Sequence, residues 1–195
     1  MSDLVQQVLG HIDPATLEAM AARLGVDPAQ AETAIRQAVP LIVGGMAKNA
    51  STDAGAASLH EAAADHAGLD IGSVIGSVLG GGGEGGAILG HVFGSRQGQA
   101  AQNLGQASGI GAQNAGALLA MLAPIIMGVL AHRTQAQGTG AGGLGGMLGT
   151  ELQQLGRGAY GGLLTSVFDR DGDGQLGLGD LLKAGSDFLA SRSRA

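Results

Sequence analysis

Asp169, Asp171 and Asp173 stand on alternate residues of the segment DRDGDGQLGLGD, and Asp180 closes it at the twelfth position. Short carboxylate arms at the first, third and fifth positions of a turning backbone can converge on one hard cation, and calcium takes about six to eight oxygen ligands. Gly174 falls at the sixth position, where such a loop turns sharply. Gln175 at the seventh needs to contribute only its backbone carbonyl. Leu176 can pack inward, and Gly177 leaves its slot to a water. The chemistry expected is calcium binding by Asp169, Asp171, Asp173, Gln175 and Asp180, against an alternative in which an acidic Asp-Gly turn only links two helices.

The arrangement is that of an EF-hand loop with two departures. Asp180 stands where the usual loop closes with a bidentate Glu, so weaker affinity is expected. Closure by Asp resembles the loops of dockerin modules, which come as duplicated pairs, whereas a single loop is found here. A lone hand can pair with a second copy, pack on its neighbouring domain, or bind weakly. Its flanks read as helices. Leu152, Leu155, Ala159, Leu163, Val167 and Phe168 recur at helical spacing before it, and Leu181, Leu182, Phe188 and Leu189 after it.

Composition removes several other classes. A net charge of −6 offers no basic field for phosphate backbones, which argues against a nucleic-acid partner. The absence of cysteine removes disulfides, thiolate catalysis and Cys-based zinc sites. MSDLVQQVLG has neither the basic start nor the long apolar run of a secretory signal, so cytoplasmic residence is expected. With 45% hydrophobic but only 2% aromatic residues and 38 glycines, the core must be filled by Ala, Gly, Leu, Val and Ile. Such a core favours closely approaching helices.

Asp13-Pro14 and Asp27-Pro28 each set a capping acid before a proline, the start of a helix. Leu17, Met20 and Leu24, then Ala31, Ile35 and Val39, lie on single helical faces behind them. Gly25 suits a left-handed helix end. Asp53 and Asp70 are further capping candidates, and no segment alternates as a strand would. The chain also resembles itself: GVDPAQAETAIRQAVPLIVGGMA from Gly25 aligns with GIGAQNAGALLAMLAPIIMGVLA from Gly109, pairing Pro40 with Pro124, Ile42 with Ile126, Gly44 with Gly128 and Ala47 with Ala131. Leu9 to Ile12 (LGHI) echo Leu89 to Val92 (LGHV). The expected fold is all-α: a two-repeat helical domain over 1–134, a Gly-rich linker over 135–146, and a C-terminal helix-loop-helix EF-hand over 147–195. Each proline should kink its helix or divide it.

This repeat, the PLIVGGMA and APIIMGVLA segments and the GGLGGMLG tail resemble the bacterial domain-of-unknown-function family 937, often described after its YidB-like members. The resemblance covers about residues 1 to 150. It implies a small helical fold with homeodomain-like elements, bacterial origin and no established activity. Homeodomain likeness would suggest DNA binding by analogy. No helix rich in Arg and Lys accompanies it here, and fold analogy does not carry function.

Gly72, Gly76 and Gly80 form one series at every fourth residue, and Gly86, Gly90, Gly94 and Gly98 form another, each expected to line one helix face for close contact within or between chains. The apolar run Ala115–Ala131 contains Pro124, and its repeat partner carries Glu32 and Arg36, so a buried core helix is expected rather than a membrane span. His60 and His66 in HEAAADH miss the zinc spacing HExxH, and GTGAGGLGG lacks the strand that a dinucleotide loop requires. No catalytic or cofactor-binding set emerges. The expected function is that of a non-enzymatic, calcium-binding helical protein that binds a partner or self-assembles as a homo-oligomer in an ion-dependent way. The alternative is a purely structural helical protein with a static or inactive calcium loop.

Overall fold

The structure, a computed structural model, describes residues 3–66, 68–158 and 160–169. The described residues form helices and no strand: α1 (Asp3–Gly10), α2 (Pro14–Leu24), α3 (Pro28–Asn49), α4 (Asp53–Asp65), α5 (Ile71–Leu79), α6 (Gly85–Phe93), α7 (Gln97–Ser108), α8 (Gly111–Gln137), α9 (Ala141–Gly156) and α10 (Gly161–Phe168), with a 3₁₀ turn at Gly94–Arg96.

Local chemistry explains most of these boundaries. Asp13 accepts from the Thr16 N–H at 2.7 Å and Asp27 from the Ala29 N–H at 2.8 Å, each satisfying a donor that the first turn leaves without a helical partner. Asp70 does the same for α5 through the Ser73 N–H at 3.0 Å. At α4 the cap is Thr52, whose hydroxyl accepts from Gly55 at 3.1 Å, and Asp53 is instead the first helical residue. Gly25 closes α2 at φ 66°, with Val26 N–H reaching back to the Ala21 carbonyl at 3.1 Å.

Two long helices hold the centre. Residues 38–47 of α3 and 121–131 of α8 are buried without interruption, so both helices are covered on every side. Both run through their prolines, Pro40 and Pro124, rather than dividing there. Proline has no N–H, so the carbonyl four residues earlier loses its helical donor. For Pro124 that carbonyl belongs to Ala120, and Gly85 at the start of α6 is pressed against it so closely that a Cβ would overlap the oxygen. The 27-residue α8 is long and apolar enough to cross a membrane by length and composition, yet 78% of its most apolar window is buried inside the fold.

The helices α1, α2, α6 and α7 each pack on both α3 and α8, while α9 packs on α3 and α4. Residues 135–137 end α8 and residues 141–146 lie in the first turns of α9, where Leu144 is fully buried, so most of the expected linker is part of the helical body. Close contact is concentrated at glycines other than the expected series. A Cβ on Gly44 would come within 2.5 Å of Leu164 Cδ2, and one on Gly45 within 2.5 Å of Val92 Cγ1 and 3.2 Å of Phe168 Cζ. Gly72, Gly76, Gly80, Gly86, Gly90, Gly94 and Gly98 are all exposed. The second series does not even share a helix: Gly94 has φ 55°, a left-handed conformation that ends α6 at Phe93 before α7 begins.

Candidate functional site

Of the five residues expected to hold calcium, Asp169 is described; Asp171, Asp173, Gln175 and Asp180 lie outside the described residues. Asp169 caps the end of α10, and its N–H donates to the Thr165 carbonyl at 2.9 Å. The helix leading to it is firmly seated. Leu164, Val167 and Phe168 are buried, and the Phe168 ring stacks on Phe93 with centroids 5.9 Å apart and planes 15° from parallel. Carbonyls in a last helical turn have no intrahelical donors. Here Gln99 Nε2 and Asn103 Nδ2 each donate to the Ser166 carbonyl at 3.2 Å, and Arg96 Nη1 reaches the Val167 carbonyl at 3.5 Å. The expected continuous helix over Leu152 to Phe168 is divided, because α9 ends at Gly156 and α10 begins at Gly161.

Sequence reading missed Glu151. This carboxylate is 4% exposed on α9. Its Oε1 accepts from the Leu4 N–H at 3.3 Å and lies 3.6 Å from Arg133 Nη1, while Oε2 has no hydrogen-bond partner. Leu4 is in the first turn of α1, so Glu151 satisfies a helix N-terminus from the far end of the chain. A signal was present: Leu144, Leu148, Glu151 and Leu155 share one helical face, which places a single acid in an otherwise apolar stripe.

A cleft of about 520 Å³ opens between the end of α4 and α5, floored by Val74, Val78 and Pro124 and edged by Asp65, His66, Ser73 and Glu84. Serine, histidine and acid line it together, but the serine and the histidine are held by local hydrogen bonds. Ser73 Oγ donates to Asp70 Oδ2 at 3.3 Å, and His66 Nδ1 pairs with the Ala62 carbonyl at 2.9 Å. Across the same region His132 Nε2 pairs with the Leu69 carbonyl at 2.8 Å. Among the described residues no three His, Asp or Glu side chains are grouped so as to hold a metal ion.

Residues 6–133 match the family described as bacterial protein of unknown function (DUF937). The chain belongs to that family. No curated protein and no solved structure matches it. The family match ends before α9, so Glu151, α10 and the acidic segment all lie beyond the matched residues.

Proposed function

We infer that the protein is a non-enzymatic, calcium-binding helical scaffold that self-associates, with a body of two related halves. The observation that carries the calcium reading is the placement of Asp169: the first expected ligand comes directly after a helix whose last carbonyls are held by Arg96, Gln99 and Asn103. A loop entered from a fixed helix end loses less freedom on closing around an ion. The carboxylates of Asp169, Asp171, Asp173 and Asp180 with the Gln175 carbonyl make an all-oxygen set suited to a hard cation, and calcium would neutralise their mutual repulsion. The two-half reading is supported by matched positions in matched roles. Gly25 and Gly109 both adopt left-handed φ at helix ends, and Pro40 and Pro124 both lie inside the long helices. Self-association draws on the exposed glycine faces and on a chain in which only 13% of residues are charged.

Isothermal calorimetry tests the calcium reading. Wild type is expected to bind with a dissociation constant between about micromolar and millimolar, and Asp169→Ala and Asp171→Ala are expected to lose binding. No heat from wild type at millimolar calcium overturns it. The seating of α10 also favours a second reading, a static staple in which the ion only closes the end of the chain. Circular dichroism and light scattering with calcium and then chelator separate the two: reversible changes in helicity or mass support ion dependence, and constant values with bound calcium support the staple. For self-association, Gly76→Leu with Gly90→Leu is expected to lower the mass of the assembly, and a wild type that is monomeric at tens of micromolar overturns that part.

A further inference from the structure

The two halves, α1–α5 and α6–α10, do not sit side by side as separate cores. Each hands its last helix to the other's long helix: α5 packs on α8, and α10 packs on α3. The seats correspond. Gly128 of α8 faces Val74 of α5, with 4.0 Å from its Cβ direction to Val74 Cγ2, and its repeat mate Gly44 of α3 faces Leu164 of α10. Within each half, the end of that exported helix is held in the same manner, by Arg23 of α2 on the Val78 and Leu79 carbonyls at 3.2 and 2.7 Å, and by Gln99 and Asn103 of α7 on the Ser166 carbonyl. The fourth helices, α4 and α9, meet each other, and α4 also packs on α8 as α9 does on α3. Uninterrupted burial of residues 38–47 and 121–131 therefore depends on both halves at once.

The only covalent link between the halves is the exposed run Gly80–Glu84, GGGGE, with Gly81 and Gly83 at φ 90° and 129°. We propose that the halves form one self-complementary interface and that a second copy of this chain can supply either half, the glycine run acting as the hinge through which two chains exchange them. Every contact that closes the monomer is then available between chains, and the short hinge favours closure within one chain only through a high effective concentration. The proposal rests on the self-association reading solely for its choice of partner.

Deleting Gly81, Gly82 and Gly83 shortens the link between α5 and α6 and is expected to prevent closure within one chain. Light scattering is expected to show a doubled mass with wild-type helical content, and a monomer of wild-type helicity overturns the proposal. Should the deletion unfold the chain, a protease sequence inserted at Gly82 of the otherwise unchanged protein keeps the proposal open to refutation. After cleavage the halves are expected to elute as one particle without denaturant, and their separation under native conditions overturns the proposal. Mixing cleaved light and isotope-labelled protein should then give mixed pairs by native mass spectrometry, whereas unmixed pairs alone overturn exchange. A monomeric wild type whose shortened variant is a dimer refutes native self-association and leaves the exchange standing. A dimeric wild type whose cleaved halves separate refutes the exchange alone.

Discussion

The helices α5 and α10 are each seated on a long central helix, α5 on α8 and α10 on α3, and each is held at its last turn by side chains of α2 or α7. The segments attached to their ends differ completely. After α5 the chain runs through GGGGE and re-enters the body at α6, and after α10 it runs into DRDGDG. At α5 the end of the helix is a connection, and at α10 it leads into a row of oxygen donors. A packing role can thus be repeated while the segment attached to it takes on a different one.

The strongest test of this comparison lies where the first connection enters α6. Gly85→Ala is expected to cost about 3 kcal/mol, because its Cβ would overlap the backbone oxygen of Ala120, which cannot move without distorting α8. Gly90→Ala, on the exposed face of the same helix with nothing within 4 Å, is expected to stabilise by about 0.5–1 kcal/mol. Urea unfolding of the two variants measures both, and equal effects would refute the distinction between seated and exposed glycines. Next in size is Glu151→Leu, expected to cost about 2 kcal/mol by leaving the Leu4 N–H without its acceptor and the Arg133 guanidinium without its ion-pair partner. Glu151→Gln, which keeps an acceptor, should cost less in the same assay.

Arg23→Ala and Asn103→Ala sharpen the comparison directly. Each is expected to destabilise by about 1 kcal/mol, since each removes donors from last-turn carbonyls. Only Asn103→Ala should also weaken calcium binding, by several-fold in calorimetry, because it loosens the helix that leads to Asp169. Equal calcium affinity in the two variants would mean that the seating of α10 does not tune the loop.

The smallest effect is expected at Asp13. Its carboxyl is held below its ordinary pKa of 3.8 chiefly by the backbone hydrogen bond from Thr16. The cap therefore contributes fully above that value, and its contribution is lost as pH falls below about 4 through the lowered folded-state pKa. Thermal melts of wild type and Asp13→Ala should differ near neutrality and converge in acid.

Much of the helical order was legible in the sequence. Asp13, Asp27 and Asp70 announce helix starts because the acceptor and the donor it satisfies lie within three residues of each other. Gly25 announces an end for an equally local reason, its left-handed φ. The regular glycine spacing says that residues share a face without saying whether another helix of the same chain lies against it. Gly86 and Gly90 face outward, while Gly44, Gly45, Gly85 and Gly105, less conspicuous by spacing, are among those that neighbouring atoms crowd. The acidic segment was legible as a donor pattern, and the described residues add only the seat from which Asp169 begins it.

The sequence by itself determined the helical character of the described residues, the caps Asp13, Asp27 and Asp70, the family resemblance and the oxygen-donor spacing after Phe168, because each depends on residue types a few positions apart. Tertiary structure alone decided that Glu151 satisfies Leu4, that Pro124 leaves Ala120 facing Gly85, and that α5 rests on α8 and α10 on α3. Those relations join residues far apart along the chain. Periodicity shows which face of a helix is apolar, but only packing chooses the partner that covers it.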